Sequence, residues 1–366
     1  MRKGWEYKRW KEVLTIINGK NQSAVVDENG EYPIYGSGGI MGYANNWLCP
    51  ENCVIIGRKG NINKPIFVET KFWNVDTAFG LNANKEYLLP KFLYYFCLDY
   101  NFERHNKAVT IPSLTKADLL KIDIPLPPLS TQLAIVSELD KINELIRLKN
   151  EQLKDFDNLA QSLFYEMFGD PVENEKGWEV KTFGEIGSVE RGAGISKKDF
   201  VKEGLPCIHY GQLHTILGPR TTKHFTSIPH NLLPKYKIAH TGDLVMAITS
   251  EDVEGSCKST VWLGDYDIIV GSDAAIFHHK QDGTFLSYYT MTKAFFNEKA
   301  KYAKGFKVTH ISAKEIEKIP VYLPPLSLQR LFAQRIEQIE REKSEVQKSI
   351  QDLETLQASR MQYWFE

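Results

Sequence analysis

Two stretches of this chain repeat apolar side chains every seven residues. A series at Ile135, Ile142, Lys149, Phe156 and Leu163 interleaves, four residues out of phase, with Leu139, Ile146, Leu153, Ala160 and Met167. Alternating steps of four and three draw a seam along one side of a helix, here over about five heptads. The same frame returns at Phe332, Ile339, Val346, Leu353 and Arg360, with Ile336, Lys343, Ile350, Gln357 and Trp364. Charged residues fill the remaining faces, as in RIEQIEREKSEVQK. Each stripe needs burial, and each helix is the other's obvious partner. The expected packing residues are Leu139, Ile142, Ile146, Leu153, Phe156 and Leu163 on the first, and Ile336, Ile339, Val346, Ile350 and Leu353 on the second.

One phrase introduces both helices: LPPLSTQ at 126–132 and LPPLSLQ at 323–329. Proline cannot sit inside a helix, and Ser130 and Ser327 are good N-caps, so the helices are expected to begin near Thr131 and Leu328. About 38 residues at 1.5 Å each make a rod of roughly 55–60 Å.

The duplication continues upstream. KGWEYKRWKEV (3–13) faces KGWEVKTFGEI (176–186), and YPIYGSGG (32–39) faces LPCIHYGQ (205–212). NCVIIGRKGNI (52–62) falls where GDLVMAITSED (242–252) falls, and LLKIDIPLPPLS faces IEKIPVYLPPLS. Short β-branched and aromatic runs bounded by Gly, Asn and Pro predict strands: CVIIG, PIFVE, STVWL, DIIVG and AAIFHH. LLPKFLYYFCLDYN and FLSYYTMTKAFFNEKA each predict one helix per domain. The fold class is α+β: two similar mixed α/β domains, each with a largely antiparallel sheet or partial barrel, separated by two long antiparallel coiled-coil helices about a pseudo-twofold axis. The boundaries read 1–128 and 171–325 for the domains, with 129–170 and 326–366 for the helices. An FGDP turn at Phe168–Pro171 returns the chain into the second domain. With each domain at the start of its own helix, antiparallel pairing would hold two heads a constant distance apart.

Composition narrows the function classes. The chain is 42% apolar and 25% charged, as a globular protein is. No apolar run approaches the ~18 residues of a membrane span and no secretory leader opens the sequence, so a cytoplasmic location is expected. Five scattered cysteines suggest buried thiols rather than a disulfide framework or a zinc site. The net charge of −1 hides an uneven distribution: residues 129–170 carry 4 basic against 8 acidic side chains, leaving the domains mildly basic. That permits DNA binding without demanding it.

The order GWE, YGSGG, GRKGNI, then IPLPPLS.Q..I...L with a long helix, written twice over essentially the whole chain, resembles the DNA-specificity subunit of type I restriction–modification systems. The second copy departs from the pattern in having HYGQLHTILGPR in place of the YGSGG loop. The resemblance implies two target recognition domains, each reading one half of a bipartite double-stranded DNA sequence, with helices that set the unspecified spacer. It also implies docking of two methyltransferase subunits, joined by restriction and translocation subunits, and no catalysis in this chain. S-adenosylmethionine, ATP and magnesium then belong to the partners, and this chain holds no cofactor.

Candidate contacts follow from side-chain chemistry. GSGGIMG (36–42) has the glycine spacing of a dinucleotide turn but no following helix, so Ser37 and Gly38 are read as a tight turn or a DNA-facing loop. GRKGNINK offers Arg58, Lys59, Asn61 and Lys64: arginine bonds guanine bidentately, asparagine does so for adenine, and lysine neutralises phosphate. ERHNKAVT adds Arg104, His105, Lys107 and Thr110. In the second domain Arg191, Lys197 and Lys198 of SVERGAGISKK are candidates, with Gln212, His214 and Arg220 as base readers. The stretch EKAKYAKGFKVTH brings Lys299, Lys301, Lys304, Lys307 and Thr309 with interleaved aromatics, suited to gripping a phosphate backbone. A solvated surface hairpin remains the plain alternative for GRKGNINK. Asp170 with Glu179 and Lys181 mimics a nuclease spacing but is better read as a helix exit. His278–His279 is read as packing or surface. No GxxxxGK[ST] phosphate loop and no Asn/Asp-Pro-Pro-aromatic methyltransferase motif occurs. A coiled-coil scaffold whose domains bind proteins is the alternative function.

Overall fold

The computed structural model describes residues 5–106, 110–195, 197–230, 236–305 and 308–365. It divides into two compact units. One comprises Met1–Glu151 with Gln347–Glu366, and the other Gln152–Val346. Two 40-residue helices, Leu129–Phe168 and Leu326–Phe365, each contribute one half to either unit.

In the first unit the strands Leu14–Asn18, Ala78–Ala83, Cys53–Gly57 and Ile66–Val68 form an antiparallel sheet in that order. A second sheet pairs Gly39–Ala44 with Tyr32–Gly36 in a hairpin, and sets Tyr32–Gly36 parallel to Trp73–Asn74. The helix Pro90–Asp99 buries Phe92, Leu93, Tyr95 and Phe96. The second unit repeats this plan. Gly187–Arg191, Ala274–His279, Leu244–Ala247 and Ser259–Trp262 form the matching sheet, extended by Arg220–Thr221. Leu205–Ile208 lies parallel to Ile268–Val270, as Tyr32–Gly36 does to Trp73–Asn74.

The departures from sequence expectation are local. In place of the single sheet expected for each domain, the described residues form two larger sheets per unit together with two-stranded pairs. FLSYYTMTKAFFNEKA is two helices, Gly283–Tyr289 and Lys293–Ala300, because the Thr292 side chain accepts from Phe295 N–H and starts a new one. The long helices begin two residues before Thr131 and Leu328. The Pro128 carbonyl accepts from the amides of Thr131 and Gln132, and that of Pro325 from Leu328 and Gln329. Ser130 and Ser327 thus lie in the first turn, and the prolines stand at the N-cap positions.

The heptad seams are where burial falls. All ten seam positions of each helix are buried or half-buried. In the first unit Glu138 accepts from Arg360 and from the Trp364 indole, and Asn143 accepts from Gln357 at 2.6 Å. In the second unit Lys343 reaches Asp157 at 2.7 Å, and Phe164 and Phe168 pack on Phe332 with ring centroids 5.7 and 5.3 Å apart. Within each unit the helix halves therefore run in opposite directions. On the second helix the seam positions that break the apolar rule, Lys343, Gln357 and Arg360, each have a cross-helix polar partner.

The two GWE landmarks mark helix ends. Trp5 stacks on Trp364 (6.3 Å, interplanar 6°), and the Trp178 indole donates to the Phe168 carbonyl at 2.8 Å. The strand after each landmark zips onto the strand before each LPPLS phrase: Glu6–Arg9 on Asp123–Leu126, and Glu179–Thr182 on Pro320–Leu323. The FGDP turn is a helix exit, with Gly169 at φ +75° and Lys176 capping the carbonyls of Glu166 and Met167. All five cysteines are free and buried, and burial pushes the thiols of Cys53 and Cys257 up to about 12. No helix among the described residues is long and apolar enough to cross a membrane.

Phe332 is fully buried between Phe164, Phe168 and Tyr288. Phe332→Ala is expected to lower the unfolding free energy of the second unit by about 3–5 kcal/mol in chemical denaturation. A loss below about 1 kcal/mol would mean that the helix halves are not packed through this cluster.

Candidate nucleic-acid interface

Four exposed segments of the first unit meet at one edge of its sheets. The Gly36–Gly39 turn faces the 57–64 loop: a Cβ built on Gly38 would lie 3.9 Å from Asn61 Nδ2, and one on Gly60 3.9 Å from Ser37 Oγ. The loop itself is tight. Gly57 admits no side chain, since a Cβ there would sit 2.4 Å from the Asn61 carbonyl, and Gly60 has φ +80°. Arg58 and Lys59 both donate their amides to the Thr77 carbonyl, Gly60 donates to Pro112, and Leu114 donates to Arg58. Thr110, exposed, stands just before this last pairing. Asn63 joins a fourth segment by accepting from Phe102 N–H at 2.8 Å, which brings in the turn Phe102–His105 with exposed Arg104.

The sequence-derived candidates Ser37, Gly38, Arg58, Lys59, Asn61 and Thr110 are therefore neighbours, although they span more than 70 residues of chain. Arg58, Lys59, Asn61 and Lys64 are all exposed. Arg58 carries one long bond, 3.4 Å from Nη1 to the Asp76 carbonyl, and lies 5.8 Å from the Phe79 ring. Lys107 and Lys307 lie outside the described residues. Ile40, Met41 and Ile111 are exposed apolar neighbours in sequence of these segments, which charge-based reading passed over.

The second unit has a matching edge built from different side chains. Ile248 N–H donates to the Asp273 carbonyl as Arg58 does to Thr77, and Ile311 donates to Ile248 as Leu114 does to Arg58. Thr249–Ser250 pairs with Thr309–His310 in the place of the Lys59–Ser113 bridge. Around this frame, Arg191 donates from Nε to the Ser272 carbonyl at 2.8 Å and lies 3.8 Å from Asp273. Lys197 stands near enough to His209 that its charge, after burial, helps hold that imidazole below its usual range. His214 Nε2 is 3.1 Å from the Thr249 carbonyl. Lys304 pairs with Glu315 at 2.5 Å. That carboxyl falls to about 2, held by Lys304 first and then by Ser312. Lys198 is exposed beside Lys197.

Several candidates sit elsewhere or are committed. Gln212 is buried and is a capping residue: its Oε1 accepts from His209 N–H at 2.9 Å at the start of the helix Tyr210–Thr215. That helix replaces the first unit's hairpin and is why HYGQLHT reads so differently from YGSGG. Arg220 is half-buried on the sheet's edge strand near Asp282, and its Nε has no partner among the described residues. Thr309 is buried in its strand. Lys299, grouped by sequence with the surface lysines, is buried and donates to the carbonyls of Glu254 and Ser256 at 2.8 and 2.5 Å. His278 bonds Asp243 at 2.8 Å, and burial pushes His279 down to about 4.

The chemistry of the two edges differs. Where the first carries Arg58 and Lys59, the equivalent loop of the second carries exposed Glu251, Asp252 and Glu254. One edge presents donors and positive charge; the other mixes acceptors with Arg191, Lys197 and Lys304. Among the described residues no group of three His, Cys, Asp or Glu side chains could hold a metal ion.

Comparison with known proteins agrees with this duplicated plan. The sequence model of the family described as type I restriction modification DNA specificity domain matches twice, at residues 2–155 and 175–355. The chain belongs to this family, and DNA sequence specificity is its function. Among curated relatives, the type I restriction enzyme MjaVIII specificity subunit of Methanocaldococcus jannaschii is 24% identical over 94% of this chain and 90% of its own length. The EcoDI specificity subunit of Escherichia coli is 22% identical over 92% and 81%. The solved S subunit of the type I restriction–modification system from M. genitalium shares the fold, with a TM-score of 0.58, 14% identity and coverage of 99% and 96%. A chain solved in work on complex assembly and conformational transition of the type I R-M system gives 0.61, 18%, 99% and 97%.

A cap and a base reader respond differently to truncation. Gln212→Ala is expected to cost the second unit about 1 kcal/mol of stability in thermal or chemical denaturation. Unchanged stability combined with altered DNA preference would make Gln212 a DNA contact rather than a cap.

Proposed function

We propose that this chain reads a bipartite duplex target, each unit taking one half through the loop edge described above, while the paired long helices set the unread spacer. The observation that carries the reading is the duplicated domain-and-helix plan whose two equivalent edges carry different side-chain chemistry. Identical edges would suit a palindrome; unlike edges suit two unlike half-sites. The functional boundaries remain 1–128 and 171–325 for the recognition domains and 129–170 and 326–366 for the antiparallel coiled coil with its pseudo-twofold axis.

In the first half, Arg58 and Asn61 are the base-reading side chains, with Lys59, Lys64, Lys107 and Thr110 on phosphates and the Ser37–Gly38 turn close to the backbone. In the second half, Arg191, Lys197, Lys198, His214, Lys304 and Lys307 take these roles. Exposed Leu133, Leu145 and Leu148 on the outer face of the first long helix support docking of a partner. Two methyltransferase subunits are the proposed occupants, with restriction and translocation subunits joining them in the cytoplasm. S-adenosylmethionine, ATP and magnesium act on those partners, and this chain performs no chemistry.

Arg58→Ala, assayed with the methyltransferase partner by competition between duplexes altered in one half-site at a time, should relax one half by roughly 1–3 kcal/mol and leave the other unchanged. Arg191→Ala and Lys304→Ala should act on the opposite half. Relaxation of the same half by all three contradicts the division between units.

The spacer is testable independently. Four residues inserted after Leu148 add ~6 Å of helix, and the preferred spacer should lengthen by one or two base pairs with both half-sites retained. An unchanged spacer in a complex that still binds would remove the helices from that role.

A further inference from the structure

The last residue of each LPPLSTQ or LPPLSLQ phrase is a glutamine with no exposed surface: Gln132 and Gln329 are both at 0%. Gln132 Oε1 accepts from Leu89 N–H at 2.9 Å, while its Nε2 donates to the carbonyls of Tyr87 at 2.8 Å and Pro127 at 2.9 Å. Gln329 does the same in the second unit. Its Oε1 accepts from Asp282 N–H at 3.0 Å, and its Nε2 donates to the Pro324 carbonyl at 2.8 Å and to Gln281 Oε1 at 2.9 Å. Every donor of both carboxamides, and each oxygen, is engaged.

Three chain segments meet at each glutamine: the strand exit at Pro127 or Pro324, the first turn of the long helix, and the residues entering the domain's own helix at Pro90 or Gly283. That domain helix in turn packs the far end of the other long helix, through Phe92 on Phe365 (5.2 Å) and Phe285 on Phe168 (4.9 Å). A leucine or methionine could fill the same space. A buried amide is tolerable only when all its bonds are made, and those bonds are directional in a way that apolar packing is not. We infer that Gln132 and Gln329 are positioning residues that lock the tilt of each long helix on its recognition domain, and so restrict the complex to one spacer length.

The lever arm gives the tilt its consequence. A 40-residue helix is ~60 Å long, so a tilt of roughly 3° moves its end by about 3 Å, close to the 3.4 Å rise of one base pair. Small angular freedom at the glutamine thus becomes tolerance of one base pair in the spacer. The inference rests on the bipartite reading above.

The test uses the full chain with its methyltransferase partner and duplexes in which both half-sites are fixed and the spacer varies one base pair either way. In Gln132→Met, preference for the wild-type spacer over its neighbours should fall at least about fivefold, with base preference inside each half-site retained. Gln329→Met should behave alike. A control, Ile135→Val, lowers stability through the same unit without touching the carboxamide, and should keep the spacer preference of the wild type. Spacer preference unchanged in folded Gln132→Met and Gln329→Met, or lost equally in the control, overturns the inference, as does failure of both variants to fold. Absence of any spacer preference in the wild-type complex would instead overturn the bipartite reading itself.

Discussion

Each recognition unit is completed by the tail of the other copy's helix, and most of the architecture follows from that requirement. The first unit's core takes Met361, with Trp364 and Phe365 packed against it, from the second long helix. The second unit's core takes Ala160, Leu163, Phe164, Met167 and Phe168 from the first. Neither sheet-and-helix head closes its apolar surface with residues adjacent in sequence. The two 40-residue helices must therefore lie side by side in opposite directions within each unit, and their seams carry the polar pairs that resist sliding. An isolated exposed pair such as Arg341–Glu337 contributes little to stability. Glu138 instead gathers both Arg360 and the Trp364 indole in a half-buried seam, and its carboxyl is lowered by that arrangement, the Arg360 bond foremost. Placing Lys343, Gln357 and Arg360 in a heptad seam gives up some apolar burial in exchange for a defined register.

The long-range plan was legible in the sequence because periodicity and duplication are one-dimensional signals. The seam residues could be written down to the position, and the offset that matches YPIYG with LPCIH is the one the parallel strand pairs obey. The errors arose where local chemistry competes with pattern. Ser130 and Ser327 look like caps, but the prolines before them already present the carbonyls that start the helix. FLSYYTMTKAFFNEKA looks continuous until the Thr292 hydroxyl caps a new start. Gln212 and Lys299 read as surface groups by residue type, yet a capping bond buries one and two backbone carbonyls bury the other. Gln132 and Gln329 were visible as part of a phrase, but nothing in one dimension shows a carboxamide bridging three segments. Clustering of Ser37, Arg58, Asn61 and Thr110 likewise needed the fold, since sequence supplies the side chains and only strand order makes them neighbours.

The two edges carry the functional argument. Both are framed by the same backbone bonds, Arg58 to Thr77 and Leu114 in one unit, Ile248 to Asp273 and Ile311 in the other. On that shared frame the first unit displays Arg58, Lys59 and Asn61, and the second displays Glu251, Asp252 and Glu254 beside Arg191 and Lys304. The frame is thus held constant while the side chains that could meet base edges vary. This separation lets a duplicated scaffold vary the side chains on each edge without disturbing the core within each unit.

Selection from a pool of fully randomised duplexes, using this chain with the methyltransferase subunit proposed as its partner and sequencing the retained DNA, measures the central claim most directly. The account predicts two short, unlike blocks of fixed sequence separated by unspecified bases of constant number. One continuous block, a perfect palindrome, or two blocks at freely varying separation would contradict it.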